Sequence, residues 1–269
     1  MQISEKKLFL FDIDGTLALG DTMFPGSREL LDAIRAKGGV SVFLTNNSTR
    51  SREDYVRRFA EVFGLETRPE QFITSGTVTT AFLTEHFLGK WIYCLATASY
   101  VAELRAKGLQ VTEEICPDAD CILVAYDSEI TYEKLCRASE MLQTCDAPYY
   151  ATNPDLRCPA PFGFIPDCGS ICEMLQVTTG RTPIYLGKPA PEMVFCAQRT
   201  FGFSSEETIV VGDRLYTDIA CGINAGVDTA LLLCGEAARA DLETTQYRPT
   251  RVLADPAALY AELLTEKMV

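Results

Sequence analysis

Two carboxylates one residue apart, Asp12 and Asp14, close the apolar run Leu8-Phe9-Leu10-Phe11 and lead straight into Gly15-Thr16. Successive side chains of a strand alternate faces, so both carboxylates point to one side. Like charges at that spacing repel unless a cation lies between them or one carboxyl keeps its proton. Such a pair can serve as nucleophile, proton carrier or metal ligand, and it can equally be an acidic, solvated turn. Three more polar clusters fall at element ends: Thr45-Asn46 after Val40-Ser41-Val42-Phe43-Leu44, Gly187-Lys188-Pro189 ahead of a helical stretch, and Gly212-Asp213 with Asp218 after Thr208-Ile209-Val210-Val211. Taken singly, Thr45 could cap the next helix, Lys188 could be a solvated loop lysine and Asp218 could be a helix N-cap.

The elements that carry these clusters alternate. Ser27 to Lys37 has helical apolar spacing and runs out at Gly38-Gly39, Val40 to Leu44 reads as a strand, and a new helix starts near Ser51. Strand, helix, strand, helix predicts an α/β fold with a doubly wound parallel sheet, in which ligands bind beyond the carboxyl ends of the strands. Phe72 to Ser75 reads as a short strand and Gly76 to Phe87 as a helix. Residues 79–181 then read as an inserted second α/β domain, with 1–78 and 182–269 forming the core. Its strands are expected at Trp91 to Leu95, Cys121 to Tyr126 and Tyr149 to Ala151, and its helices at Tyr100 to Lys107 and Tyr132 to Thr144. A Pro- and Gly-rich passage through Pro159, Pro161, Gly163, Pro166 and Gly169 reads as loop before a helix near Ser170. The last third supplies a helix from Pro191 to Phe201, the strand Thr208 to Val211, a helix from Asp218 to Ala225, the strand Asp228 to Leu233 and an amphipathic helix from Pro256 to Lys267. Trp91 is expected in the core and His86 on a helix surface.

With 37 acidic and 24 basic residues, the net charge of −13 lacks the basic footprint of a nucleic-acid binder. A phosphorylated small molecule is still compatible, because a few local cations can make one pocket positive. No apolar run is long enough to span a bilayer, and no secretory h-region opens the chain, so a cytoplasmic protein with no membrane partner is expected. The eleven cysteines are scattered through apolar runs and read as reduced core thiols. Cys168 and Cys172 share a helical spacing, but with His86 the one histidine and no paired Cys-x-x-Cys, no zinc site is expected.

In their order, Asp12-Ile13-Asp14-Gly15-Thr16, Thr45-Asn46, Lys188 and Gly212-Asp213 with Asp218 resemble the haloacid dehalogenase superfamily of aspartyl-phosphate phosphatases, over essentially the whole chain. An insert between Thr45 and Lys188 resembles the type C2 cap of the NagD and p-nitrophenyl phosphatase-like group. Ala151-Thr152-Asn153-Pro154-Asp155, Thr131-Tyr132-Glu133-Lys134-Leu135 and Gly187-Lys188-Pro189 are similar to that group too. The resemblance implies a Mg²⁺-dependent phosphatase of small phosphate monoesters such as sugar phosphates or nucleoside monophosphates. Asp12 would be the nucleophile and Asp14 the general acid and base. The metal would be held by Asp12, the Asp14 backbone carbonyl and Asp213, with Asp218 steadying that set. Thr45, Gly15 and Asn46 would bind the phosphoryl group, Lys188 would neutralise its charge, and Asn153 and Asp155 would meet the leaving group.

A cap would admit small phosphorylated metabolites and exclude polymers, and its helices could supply a homodimer interface. One departure is Pro166-Asp167-Cys168-Gly169-Ser170, where the group has a Pro-Gly-Ala-Gly-Ser turn. A phosphotransferase or mutase on the same scaffold, and a non-catalytic binding protein that keeps the fold, are the rival readings. A nicotinamide enzyme is disfavoured, since no Gly-x-Gly-x-x-Gly turn follows the first strand.

Overall fold

The computed structural model describes residues 2–47, 51–160 and 162–265. Pro161 and Lys267, named above, lie outside the described residues. Six strands build the first sheet: β1 (Leu8–Phe11), β2 (Val40–Thr45), β3 (Phe72–Thr74), β4 (Thr208–Gly212), β5 (Asp228–Leu232) and β6 (Arg251–Leu253). Their spatial order is β6-β5-β4-β1-β2-β3, with β1 between β4 and β2 and parallel to both. All four residues of β1 and all five of β4 are buried, the continuous apolar pattern of strands covered on both faces. Phe9, Phe11, Phe43, Phe72, Ile209 and Val211 pack with Leu30, Leu31 and Ile34 of helix Ser27–Ala36, Tyr55, Phe59 and Phe63 of helix Arg52–Phe63, and Leu259 and Leu263 of helix Pro256–Thr265. Helix Glu192–Phe201 packs on β1 and β2. This is the doubly wound α/β core that the sequence predicts.

The aromatic cluster beside β2 shows what holds that edge. The Phe43 ring centroid lies 4.6 Å from that of Phe59 and 5.0 Å from that of Phe72, and Phe59 meets Phe72 edge-on at 4.9 Å. Each such pair adds about 0.5–1.5 kcal/mol beyond area burial, so the helix after Thr45 is fixed against the strand that ends there.

The chain divides into two compact units. One runs to Thr45, from Ser51 to Ile73 and from Lys188 onward; the other comprises Asn46, Asn47 and Thr74–Gly187. The second unit has its own parallel sheet, in the order Ile184–Tyr185, Tyr149–Ala151, Cys121–Val124, Trp91–Leu95 and Gln110–Thr112. Its helices start on side-chain caps: Thr74 accepts from Thr77 N, Thr97 from Tyr100 N and Thr131 from Lys134 N. Asp167, the unusual acid of the Pro166 to Ser170 turn, caps helix Cys168–Thr179 by accepting from Cys168 N. Gly169 has no alternative there, since a Cβ would stand 2.2 Å from the Pro154 carbonyl oxygen.

Three local readings change. The Pro- and Gly-rich passage forms a two-stranded hairpin, Arg157–Ala160 with Gly163–Pro166; a ribbon with two free edges tolerates residues that lack an N–H. Trp91 is 48% exposed, because it opens its strand while Ile92 to Leu95 are buried behind it. Beyond Asp213 the chain turns first into a wide π-type helix, Leu215–Ile219, and only then into Ala220–Asn224. Asp218 therefore sits inside helical backbone and is not an N-cap. His86 is exposed, against the Phe82 ring at 4.6 Å. No helix among the described residues is long and apolar enough to cross a membrane.

Candidate active site

Parallel register brings three strand ends together. Phe11 pairs with Phe43 on one side and with Val211 on the other. Asp12, Leu44-Thr45 and Gly212-Asp213 therefore leave the sheet side by side, and Asp12 N donates to Val211 O at 2.9 Å. Thr45, Asp213 and Asp218 are all buried, and the Asp12 side chain is 16% exposed.

Lys188 enters this group from the chain that precedes helix Glu192–Phe201. Its Nζ donates to Asp12 Oδ1 at 2.6 Å, to Asp218 Oδ1 at 2.6 Å and to Leu44 O at 3.2 Å, with the side chain 3% exposed. Burial alone pulls the ammonium down, but the two carboxylates overturn that effect and hold Lys188 above the ordinary lysine value. Burial pushes Asp12 well above the usual carboxylate range; Lys188 opposes the shift, and Asp218 and Asp213 reinforce it. Asp213 is pushed up to about 6, first by burial and then by the charge of Asp218, against the Glu236 N–H and the charges of Arg214 and Lys188.

Asp12, Asp213 and Asp218 offer carboxylate oxygens within 4.8 Å of one another. Three carboxylates against one ammonium leave an excess of negative charge around hard oxygen donors, the donor set a small divalent cation takes. The backbone is shaped to these carboxylates. A Cβ on Gly15 would stand 2.4 Å from Asp213 Oδ2, one on Gly235 2.1 Å from the same atom, and one on Gly212 2.2 Å from Asp218 Cβ. Gly15 also has φ +95°, a conformation side chains resist. These residues fit a magnesium ion.

The other expected residues divide between the two units. Asp14 lies in the turn after β1, where Gly15 N donates to Ala18 O at 2.8 Å, and its carboxylate is outside the three-carboxylate group. Asp218 has both oxygens engaged, Oδ1 by Lys188 and Oδ2 by Arg214 N at 3.0 Å. Asn46, Asn153 and Asp155 meet within the second unit. Asn153 Nδ2 donates to Asn46 O at 3.1 Å, Asn46 Nδ2 to Asp155 Oδ1 at 3.3 Å and Asp155 N to Asn153 Oδ1 at 3.0 Å. Ser75 Oγ completes the knot on Asn46 O at 2.7 Å. The turn bounded by Pro154 is thus tied to the chain just after Thr45.

Three participants escape the sequence reading. Thr16 Oγ1, fully buried, lies 3.5 Å from Asp12 Oδ2 and 3.2 Å from Asp213 Oδ1. Gly235 and Glu236 follow β5, and Glu236 N donates to Asp213 Oδ2 at 2.8 Å. Their one sequence signal is position, since they too lie beyond the carboxyl end of a parallel strand.

Comparison with known proteins bears on this geometry. Residues 9–110 match the family described as haloacid dehalogenase-like hydrolase, and residues 185–259 match one described as HAD-hydrolase-like. An acid sugar phosphatase of Staphylococcus aureus is 31% identical over 261 residues, covering 97% of this chain and 99% of the relative. The crystal structure of a 4-nitrophenylphosphatase from Thermotoga maritima superposes with a TM-score of 0.88 at 35% identity, covering 97% and 98% of the two chains. A glycerol phosphate phosphatase from Mycobacterium tuberculosis, solved in complex with magnesium, gives 0.87 at 27% identity, covering 96% of this chain and 78% of that one.

Proposed function

Because this chain belongs to the haloacid dehalogenase superfamily, in its NagD and p-nitrophenyl phosphatase-like group, and is a phosphomonoester hydrolase, we propose that it cleaves small phosphorylated metabolites by passing the phosphoryl group through Asp12. Sugar phosphates and glycerol phosphate come first among substrates, since relatives covered over most of their length carry names for acting on them. The observation that carries the proposal is the buried contact of Lys188 with Asp12 beside Asp213 and Asp218.

In this reading Asp12 is the nucleophile. One of its oxygens forms a bond to phosphorus while the bond from phosphorus to the leaving oxygen breaks, and water then displaces the carboxylate. Asp14 gives a proton to the leaving oxygen and takes one back from the attacking water. Lys188 faces Asp12 and balances negative charge that grows on the transferring group. Thr45 and Gly15 donate to phosphoryl oxygens, as does the main chain at Asn46, and Asn153 and Asp155 meet the leaving group. Asp12, Asp213 and the Asp14 carbonyl would hold a Mg²⁺ ion, which would supply Lewis-acid charge to the phosphoryl oxygens. Asp218 steadies that set through Lys188 and Arg214.

A phosphate-release screen over small phosphate monoesters, run with Mg²⁺ on the wild type and on Asp12→Asn, tests the reading. Release by the wild type alone supports it, and equal release by both proteins rejects it. Added acceptor alcohols that collect more phosphoryl groups than water does would convert the assignment to a phosphotransferase.

A further inference from the structure

Glu236 contacts three residues of the loop that carries Asp213. Its N–H donates to Asp213 Oδ2 at 2.8 Å, its Oε1 accepts from Tyr216 Oη at 2.8 Å, and its Oε2 lies 2.9 Å from Arg214 Nε. The next residue repeats the main-chain hold, with Ala237 N donating to Asp213 O at 3.1 Å. We propose that Glu236 is a positioning residue for the metal, a clamp that joins the turn after β5 to the loop after β4 and so aims the Asp213 carboxylate.

An exposed ion pair alone contributes little, and the Glu236 and Arg214 side chains are 38% and 22% exposed. The clamp acts because of what lies beneath it. Gly235 presses so close that a Cβ there would stand 2.1 Å from Asp213 Oδ2, and a Cβ on Gly15 would stand 2.4 Å from it on another side. With Thr16 Oγ1 on Oδ1 at 3.2 Å, the carboxylate has little room to turn, and a small shift of the 235–237 turn moves it directly. Arg214 also leads back to the site, since its N–H donates to Asp218 Oδ2 at 3.0 Å. One glutamate side chain thereby braces the stretch between Asp213 and Asp218, through the side chains of Arg214 and Tyr216. Groups behind a metal's direct ligands commonly govern affinity to this degree.

The inference rests on the metal reading above, so the experiment separates the two. Mg²⁺ affinity is measured by calorimetry, and amide hydrogen exchange over 234–237 is followed in the metal-free protein. The proteins are wild type, Glu236→Ala, Glu236→Gln, Tyr216→Phe, the double variant Tyr216→Phe/Glu236→Ala, and Asp213→Asn. We expect Glu236→Ala to weaken Mg²⁺ binding roughly ten-fold, to speed exchange at 234–237 without metal, and to leave kcat at saturating Mg²⁺ within about three-fold. Glu236→Gln, which keeps an acceptor for Tyr216, should fall between. The double variant should be no worse than Glu236→Ala alone. Mg²⁺ affinity and exchange in Glu236→Ala both within two-fold of wild type, while Asp213→Asn loses the metal, would overturn the clamp alone. Unchanged affinity in Asp213→Asn would overturn the metal reading on which the clamp depends.

Discussion

Lys188 Nζ and Asp12 Oδ1 stand 2.6 Å apart in a site where the lysine side chain is 3% exposed. An ammonium so placed touches the proposed nucleophile and cannot be replaced by water without leaving buried carboxylates unpaired. The same Nζ reaches Asp218 Oδ1 at 2.6 Å, so one side chain serves two acids whose mutual repulsion would otherwise open the site.

Removing that ammonium should be costly in two ways. Lys188→Ala leaves Asp12 and Asp218 facing each other, and breaking a buried pair costs about 3–5 kcal/mol. Loss of charge stabilisation at the transferring group should lower kcat by roughly 10²–10³. Lys188→Arg keeps the charge but cannot meet both carboxylates and Leu44 O in the same space, so we expect it to recover stability more than rate. Melting temperature and kcat measured on both variants check this; a Lys188→Ala enzyme with more than a tenth of wild-type kcat would contradict it.

Asp14 should matter according to the leaving group. Asp14→Asn cannot carry a proton, and general acid catalysis contributes about 10²–10⁴. A nitrophenolate leaves readily without a proton and an alkoxide does not. We therefore expect the variant to lose far more kcat/KM, which reports the step in which the leaving group departs, on glycerol phosphate than on p-nitrophenyl phosphate. Equal losses of kcat/KM on the two would show that Asp14 does not protonate the leaving oxygen.

Metal-free stability should fall as the pH rises. Burial, with Asp218 beside it, holds the Asp213 carboxyl at about 6 against an ordinary 3.8. A carboxyl raised in the folded state binds its proton more tightly there than in the unfolded chain. Its contribution is fully present below the unfolded value and is lost as the pH climbs through the folded one. Chelator-treated wild type should lose several degrees of Tm between about pH 4 and 6 relative to Asp213→Asn, which has no such proton. Saturating Mg²⁺ should erase that loss. Parallel Tm profiles for the two metal-free proteins would contradict the assignment.

The thiols should react in order of burial. Burial pushes Cys121 and Cys221 up to about 12 and Cys234 up to about 11, while Cys136 is exposed. At mildly alkaline pH, iodoacetamide should modify Cys136 first and leave Cys94, Cys121, Cys168 and Cys221 untouched until denaturant is added. Mass spectrometry of the labelled peptides reads the order, and early modification of Cys121 or Cys221 would show that the packing around them is not as described.

Much of this was legible in the chain because it depends on local pattern. The buried runs Leu8 to Phe11 and Thr208 to Val211 betray strands covered on both faces, and parallel strands place Asp12, Thr45 and Asp213 on one edge whatever the loops do. Lys188 was legible only through its company; nothing local separates it from a solvated loop lysine. Position beyond β5 was the sole hint of Glu236, because its role depends on pairing with Tyr216 and Arg214 twenty or more residues away. The wide helical turn that makes Asp218 an interior residue was hidden for a similar reason. Its backbone is set by the Asp218 carboxylate accepting from Arg214 N and Lys188, a tertiary contact that propensity does not register. The Arg157–Pro166 hairpin was masked by prolines, which read as loop even where a two-stranded ribbon accepts them.

The central claim is that the phosphoryl group passes through Asp12. Its most direct test is a single turnover of Asp14→Asn with p-nitrophenyl phosphate and Mg²⁺, quenched in acid and digested for mass spectrometry. This variant lacks the group that activates water against the covalent species, so the species should accumulate. We expect the mass of one phosphoryl group on the peptide that contains Asp12, at Asp12 itself, with none on Asp12→Asn treated alike. Nitrophenolate released in a burst with no phosphorylated peptide, or with the phosphoryl group on another residue, would contradict it.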